Sequence, residues 1–175
     1  MVRLLRGAVL IWGAVFATGC GEPTAVVAIE GQPAPEIAFV DVSNGGTSKL
    51  SDFHGKIVVV EFWASWCGPC QEAMDQFQTH SESHPDWGDK VVLISVSIDD
   101  TQSAAKSHLE KKGWNKTRNG WIDPQDGEKS AVVAYAGKGI PSGYIVDTDG
   151  ILIAAGHPTE LDVAEKVNQI LKRCP

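Results

Sequence analysis

Residues Lys56 to Cys70 read K-I-V-V-V-E-F-W-A-S-W-C-G-P-C. The first part is a nearly unbroken apolar and β-branched run, the pattern of a central parallel strand covered on both faces. The second part, Trp66-Cys67-Gly68-Pro69-Cys70, lies just past the C-terminal end of that strand and opens a helix expected over Pro69 to His80. Pro69 suits its first turn, and Ala73, Met74 and Phe77 fall on one face. Two cysteines three positions apart at a helix start have Cα atoms within the roughly 4.4–6.8 Å that a disulfide spans, so the pair opens and closes without refolding. Cys67 is expected beside unpaired N–H groups and the positive end of the helix dipole, which favour thiolate over thiol. A fall in its pKa from ~8.5 to ~7 raises the ionised fraction at pH 7 from about 3% to about half, for roughly 2 kcal/mol. Cys67 is thus the candidate attacking sulfur. Cys70, further into the helix and more buried, is the candidate resolving sulfur, with Gly68 and Pro69 forming the loop between them. The alternatives are a permanent disulfide or half of a zinc site; zinc needs four ligands, and neither a second CxxC nor a nearby His pair is present.

Glu61 is the only charge between Ile57 and Cys67. In a buried strand its carboxyl is desolvated and its pKa raised, so near neutral pH it is able to take a proton from Cys70 or return one. The other reading is a charge at a partly open strand end.

Outward from this stretch the pattern is an α/β rhythm. Val91 to Ile98 is a second buried run, and Asp100 or Thr101 is placed to cap a helix through Lys112 that stops at Gly113. Upstream, Glu36 to Val42, a turn at Asn44-Gly45-Gly46 and Leu50 read as a hairpin. Downstream, Gly143 to Val146, a turn at Asp147 to Gly150, and Ile151 to Ala155 read as an antiparallel pair. A closing helix is expected over Thr159 to Lys172, where Leu161, Ala164, Val167, Ile170 and Leu171 recur at helical spacing. The fold class is α/β, with a central mixed sheet flanked by helices, an N-terminal hairpin and a central insertion.

The 175 residues carry a formal charge of -7, with 43% apolar and 21% charged side chains. That excludes a disordered chain and leaves no basic footprint for nucleic acid. Arg3 and Arg6 precede the apolar stretch Gly7 to Ala17, which is too short to span ~30 Å of hydrocarbon as a helix and has the layout of a signal peptide. Its end, Ala17-Thr18-Gly19-Cys20, resembles a bacterial lipobox, which implies cleavage before Cys20 and lipidation of that cysteine; an ordinary cleaved signal or an uncleaved anchor is the alternative. The organisation expected is a signal peptide over 1–19, a tether over 20–31 and one domain over 32–175. Removing residues 1–19 takes two positive charges and no acids, leaving -9.

Beyond the central motif, Gly31-Gln32-Pro33-Ala34-Pro35 marks the domain entry, residues 99–135 form an insertion, and G-I-P-S-G-Y-I-V-D-T-D-G occupies 139–150. Together with F-W-A-S-W-C-G-P-C at 62–70, these features resemble the TlpA-like and ResA-like membrane-tethered thiol:disulfide oxidoreductases of the thioredoxin superfamily, in its redoxin group. The resemblance implies a thioredoxin-like fold and a cis bond before Pro141, which faces the CxxC. It also implies that Ile140 pairs its backbone with an extended substrate segment, beside Trp66. Glu61 occupies the position of thioredoxin's buried Asp. No metal or organic cofactor is implied. The partners implied are protein disulfides or dithiols, a membrane electron relay, apocytochrome c as one candidate substrate, and the bilayer through Cys20, with the domain facing the periplasm. A Gly-Pro pair between the cysteines resembles the reducing members of the superfamily.

Two rival activities are weighed. A redoxin-type thiol peroxidase has a PxxxTxxC pattern that requires Pro at 60 and Thr at 64, where Val60 and Ala64 stand. A copper-handling module on the same fold resembles CxxxC with a distant His; the spacing here is CxxC, with His157 as the only counterpart offered. His80 and His84 share a helix face but Pro85 follows at once, and Asp147 to Gly150 reaches Pro158 where a calcium loop has Glu. Gly137, Gly139 and Gly143 miss the spacing of a dinucleotide loop. Trp87, Trp114 and Trp121 suit either core packing or a partner surface, and Cys174 is left as a spare thiol.

Overall fold

The computed structural model describes residues 27–125 and 131–173. The signal-peptide residues, Cys20 and Cys174 lie outside them. Seven strands form one sheet: β1 (Ala38–Asp41), β2 (Thr47–Lys49), β3 (Ile57–Trp63), β4 (Val91–Ser97), β5 (Arg118–Trp121), β6 (Ser142–Val146) and β7 (Leu152–Gly156). Their spatial order is β2-β1-β5-β4-β3-β6-β7. β3 pairs parallel with β4 and antiparallel with β6, so it is enclosed along both edges, and all seven of its side chains are buried. That double enclosure is what a continuous apolar run requires.

Alternation along β3 sends its side chains to two separate cores. Ile57, Val59 and Trp63 face Met74 and Phe77 of α1 (Cys70–Ser83), Leu109 of α2 (Gln102–Lys112), and Val167 and Ile170 of α3 (Val163–Arg173). Val58, Val60 and Phe62 face Ile37, Phe39, Leu50, Tyr135 and Tyr144. These three α-helices therefore pack on one core. Among the described residues, a 3₁₀ turn at Leu50–Phe53 and a π-helical turn at Val132–Ala136 pack on the other.

Local signals hold where capping chemistry decides. The Ala104 N–H donates to Thr101 Oγ1 at 3.2 Å at the start of α2, and Gly113 ends it in the left-handed conformation at φ 69°. Two expectations change. The closing helix does not begin at Thr159: Pro158–Glu160 is a 3₁₀ turn, and Asp162 at φ 45° breaks the chain before α3. The segment 99–135 contains the unanticipated strand β5, whose sequence Arg-Asn-Gly-Trp has no apolar alternation. It is a strand because β4 and β1 supply backbone partners on either side. Gly120 permits this pairing, since a Cβ there would lie 2.4 Å from Cδ2 of Phe39.

The β7 edge is covered by the chain entering the domain. The Gly31 N–H donates to the Leu152 carbonyl at 2.8 Å, the Leu152 N–H to Gln32 at 2.9 Å, and the Ala28 N–H to Ala134 at 3.3 Å. Such cover blocks edge-to-edge pairing, and it extends the packed fold to the N-terminal side of Gln32. Trp87 and Trp114 are buried, and Trp121 is half-buried.

Gly120→Ala is expected to cost about 1–3 kcal/mol through overpacking against Phe39. Urea denaturation checks this as a lowered midpoint at unchanged slope.

Candidate active site

β3 ends at Trp63, and the chain passes through buried Ala64 and an exposed turn into α1. Cys67 and Cys70 are joined in a disulfide with Cα atoms 5.3 Å apart, inside the range the geometry allows. Pro69 is the N-cap at φ -61°, ψ -25°. Its ring presets the helical φ, so α1 opens at Cys70 itself and this cysteine is the first helical residue rather than one further in. Both sulfurs thus stand at the mouth of the helix. Cys67 is 5% exposed and Cys70 fully buried, in the expected order.

The Cys70 N–H is one of the donors that a helix leaves unpaired at its start, and it points at Cys67 Sγ from 3.2 Å. In the disulfide this is a weak contact. Once the bond is reduced, the same N–H faces a thiolate, where a charge-assisted hydrogen bond and the helix dipole both favour the anion.

The Ile140–Pro141 bond is cis. The Ile140 carbonyl oxygen lies 3.8 Å from Cys67 Sγ, so strand β6 begins against the disulfide. Trp66, next to Cys67, leaves 65% of its surface exposed, and Gly68 and Pro69 are exposed too. The fold therefore brings Cys67, Cys70 and Ile140 together, with an open rim at Trp66, Gly68 and Pro69.

Glu61 is 1% exposed, and neither carboxyl oxygen has a hydrogen-bond partner among the described residues. Alternation along β3 places it on the same sheet face as Trp63 and the α1 core residues. Its register neighbours are Ser95 on β4 and Gly143 on β6. A Cβ at Gly143 would stand 2.8 Å from Cδ1 of Leu161, so Leu161 closes over that position and helps keep water out. Burial alone pushes the Glu61 carboxyl from 4.5 up to about 8.

Two groups that sequence reasoning missed hold the cysteine loop. Asp99, 1% exposed at the end of β4, accepts hydrogen bonds from the Ser65 N–H at 3.1 Å, Ser65 Oγ at 2.6 Å and Ser97 Oγ at 2.7 Å. Gln71 Nε2 donates to the Cys67 carbonyl at 3.2 Å, while its Oε1 lies 3.0 Å from Nε2 of His108 on α2. Burial, with the Lys112 charge added, holds His108 below the usual imidazole range. Because an amide oxygen only accepts, His108 Nε2 is the donor to Gln71 Oε1. Their signal in the sequence is only a Ser two residues before Cys67 and an Asp closing the second apolar run, more than thirty residues apart and with no spacing to link them.

His80, His84 and Trp87 stack together, with His84 and Trp87 centroids 4.3 Å apart. His157 Nδ1 lies 2.8 Å from Thr159 Oγ1. Among the described residues no group of three or more His, Cys, Asp or Glu side chains is placed to hold a metal ion.

The family model described as Redoxin matches residues 29–170. The thioredoxin-like protein YneN of Bacillus subtilis is 28% identical over 141 residues, covering 79% of each chain. The thiol:disulfide interchange protein HelX of Rhodobacter capsulatus is 29% identical over 176 aligned positions, covering 96% of this chain and 92% of its own. Among solved structures, the thioredoxin domain of a thiol-disulfide oxidoreductase from Bacteroides vulgatus superposes with a TM-score of 0.67 at 24% identity, covering 84% of this chain and 99% of that one. That likeness establishes the thioredoxin fold.

The raised Glu61 pKa makes stability fall with rising pH. Below about 4.5 folded and unfolded chains both hold the proton; between there and about 8 the unfolded chain releases it while the folded one keeps it. The loss grows through that window to roughly 5 kcal/mol and then levels off. Urea titrations of the oxidised protein at pH 5, 7 and 8.5 are expected to show this decline in the natural sequence and its absence in Glu61→Gln.

Proposed function

Because the chain belongs to the Redoxin family, we propose that it is a thiol:disulfide oxidoreductase acting on protein disulfides, working as a reductase at the outer side of a membrane. The observation that carries this reading is the Cys67–Cys70 disulfide at a helix mouth, with the Ile140 carbonyl 3.8 Å from the outer sulfur. The names of the relatives, oxidoreductases and interchange proteins, agree with it.

In the reducing direction the dithiol form starts the cycle. The Cys67 thiolate attacks one sulfur of a partner disulfide; a new S–S bond forms to Cys67, and the partner's other sulfur leaves as a thiolate and takes a proton from solvent. Ile140, at the start of β6, offers its backbone to the partner's extended segment, and the exposed Trp66 ring provides an apolar wall beside it. Cys70 then gives its proton to the Glu61 carboxylate and attacks Cys67 Sγ. The mixed disulfide breaks, the partner's second sulfur leaves as a thiolate and takes a proton from solvent, and Cys67–Cys70 is left oxidised. Two electrons have passed to the partner. With a pKa about 8, Glu61 is close enough to neutrality to cycle between its states, and apolar surroundings spare it competing hydrogen bonds. The pair is reloaded by another dithiol, for which a membrane electron relay is the candidate, and disulfides of apocytochrome c are candidate substrates.

Residues 1–19 are read as an export signal cut before Cys20, whose lipidation ties the domain to the bilayer on its periplasmic side. The Ala17-Thr18-Gly19-Cys20 sequence supports this.

Two measurements test the catalytic reading. In reduction of insulin disulfides by dithiothreitol, Cys67→Ser is expected to lower the rate at least about 100-fold, and Cys70→Ser to accumulate a mixed disulfide through Cys67. Thiol trapping in glutathione mixtures is expected to give a potential near thioredoxin's roughly -270 mV; one near the roughly -120 mV of a strong oxidant reverses the direction of electron flow. A pair that fails to cycle at all removes the catalytic reading.

A further inference from the structure

Large apolar side chains are exposed at four places among the described residues: Val27 at 50%, Ile29 at 57%, Val133 at 43%, and Trp66 beside the cysteines. The first three belong to one place. The Ala28 N–H donates to the Ala134 carbonyl, which ties the entering chain to the π-helical turn at Val132–Ala136. Ala28 packs inward on the core, and the alternation turns Val27 and Ile29 outward on either side of it. Val133 is the exposed residue of the facing turn.

Two charged residues flank this patch in the chain. Glu30, next to Ile29, turns a carboxylate oxygen back to the Ala155 N–H at 2.8 Å. Lys138, just past the turn, is exposed. The surface is thus aliphatic, with the exposed Glu30 and Lys138 next to it in the chain.

The position of Cys20 says what faces this surface. Residues 21–26 are all that separate it from Val27, a reach of at most about 24 Å when fully extended. The segment 28–34 is hydrogen-bonded to β7, to the turn that precedes it at Gly150 and to the π-helical turn at Ala134, so the patch is fixed to the domain. A lipid on Cys20 therefore holds these side chains at high effective concentration beside the bilayer, and an aliphatic surface suits the membrane interface.

The patch also has a defined relation to the chemistry. The entering chain lies along β7 with Ala34 near Gly150 and Glu30 near Ala155. Gly156, one residue further, pairs with Gly143, and Gly143 with Glu61. The patch therefore lies toward the end of the sheet that carries Cys67. We propose that Val27, Ile29 and Val133 form a membrane-facing surface that seats the domain on the lipid bilayer with the cysteine end of the sheet held near it, within reach of a dithiol embedded in the membrane. This rests on the reading of Cys20 as the lipid anchor.

The test uses the full chain, processed in a bacterial host, with Cys174→Ser and the Cys67–Cys70 pair oxidised. Mass spectrometry of the N-terminal peptide first reads acylation at Cys20. An environment-sensitive fluorophore is then placed at Val133→Cys or, as the control, at Thr47→Cys on β2. The sheet order puts β2 six strand spacings from β7, about 29 Å. Both proteins are reconstituted into phosphatidylethanolamine–phosphatidylglycerol vesicles carrying nitroxide-labelled acyl chains. The expected result is quenching at position 133 at least about threefold stronger than at 47, as for a group seated in the interface. Acylated protein whose two positions are quenched alike, and are equally open to an aqueous quencher, overturns the membrane-facing patch and leaves the anchor standing. Protein with no acyl group on Cys20 overturns the anchor and the patch with it. A probe at 133 that loses aqueous access in detergent as protein concentration rises assigns the surface to a second copy of the chain, which also overturns the bilayer.

Discussion

Every side chain of β3 is out of water, and the strand is hydrogen-bonded along both edges. Six of the seven are apolar, and their burial on two faces supplies both cores. A strand so enclosed ends at a fixed point, and the turn that follows delivers Cys67 and the first residue of α1 to that point. The helix cannot start elsewhere, because Pro69 presets its first φ and Met74 and Phe77 must reach the core beneath. The thiol chemistry follows from where β3 stops.

The same enclosure sets up an electrostatic asymmetry. At the helix mouth, an unpaired N–H and the helix dipole favour negative charge on Cys67. Behind it, burial without hydrogen bonds disfavours negative charge on Glu61. The outer sulfur is thereby prepared to ionise, while the inner carboxyl is prepared to hold or pass a proton. Asp99 is the contrasting case. It is as buried as Glu61, yet three donors from Ser65 and Ser97 satisfy it, and it serves to pin the loop that carries Trp66 and Cys67.

Much of this was legible from residues close together in the chain. The run from Ile57 to Trp63, the Thr101 cap, the Gly113 stop and the hairpin turn between β6 and β7 are each written within a few residues and decided by local backbone chemistry. The order of exposure of Cys67 and Cys70 followed from their places at a helix start. Less legible were features made by pairing at a distance. Arg118 to Trp121 has no strand pattern and becomes a strand because two neighbours offer backbone partners, with Gly120 leaving room for Phe39. The break at Asp162 was hidden by helical spacing that continues across it. The path of residues 28–34 along β7 was hidden because edge cover needs only main-chain groups.

By itself the sequence determined the identity and spacing of the reacting groups: two sulfurs three residues apart, a proline between them, and one carboxyl in an apolar strand. Those are properties of covalent order and of local propensity, which act over one or two turns. Only the tertiary structure decided that the Ile140 carbonyl stands 3.8 Å from Cys67 Sγ, and that the Glu61 carboxyl has no hydrogen-bond partner among the described residues. It also decided that Asp99 and the His108–Gln71 pair brace the cysteine loop. These depend on which surfaces exclude water and which distant backbones meet, and that is settled when the two cores close around β3.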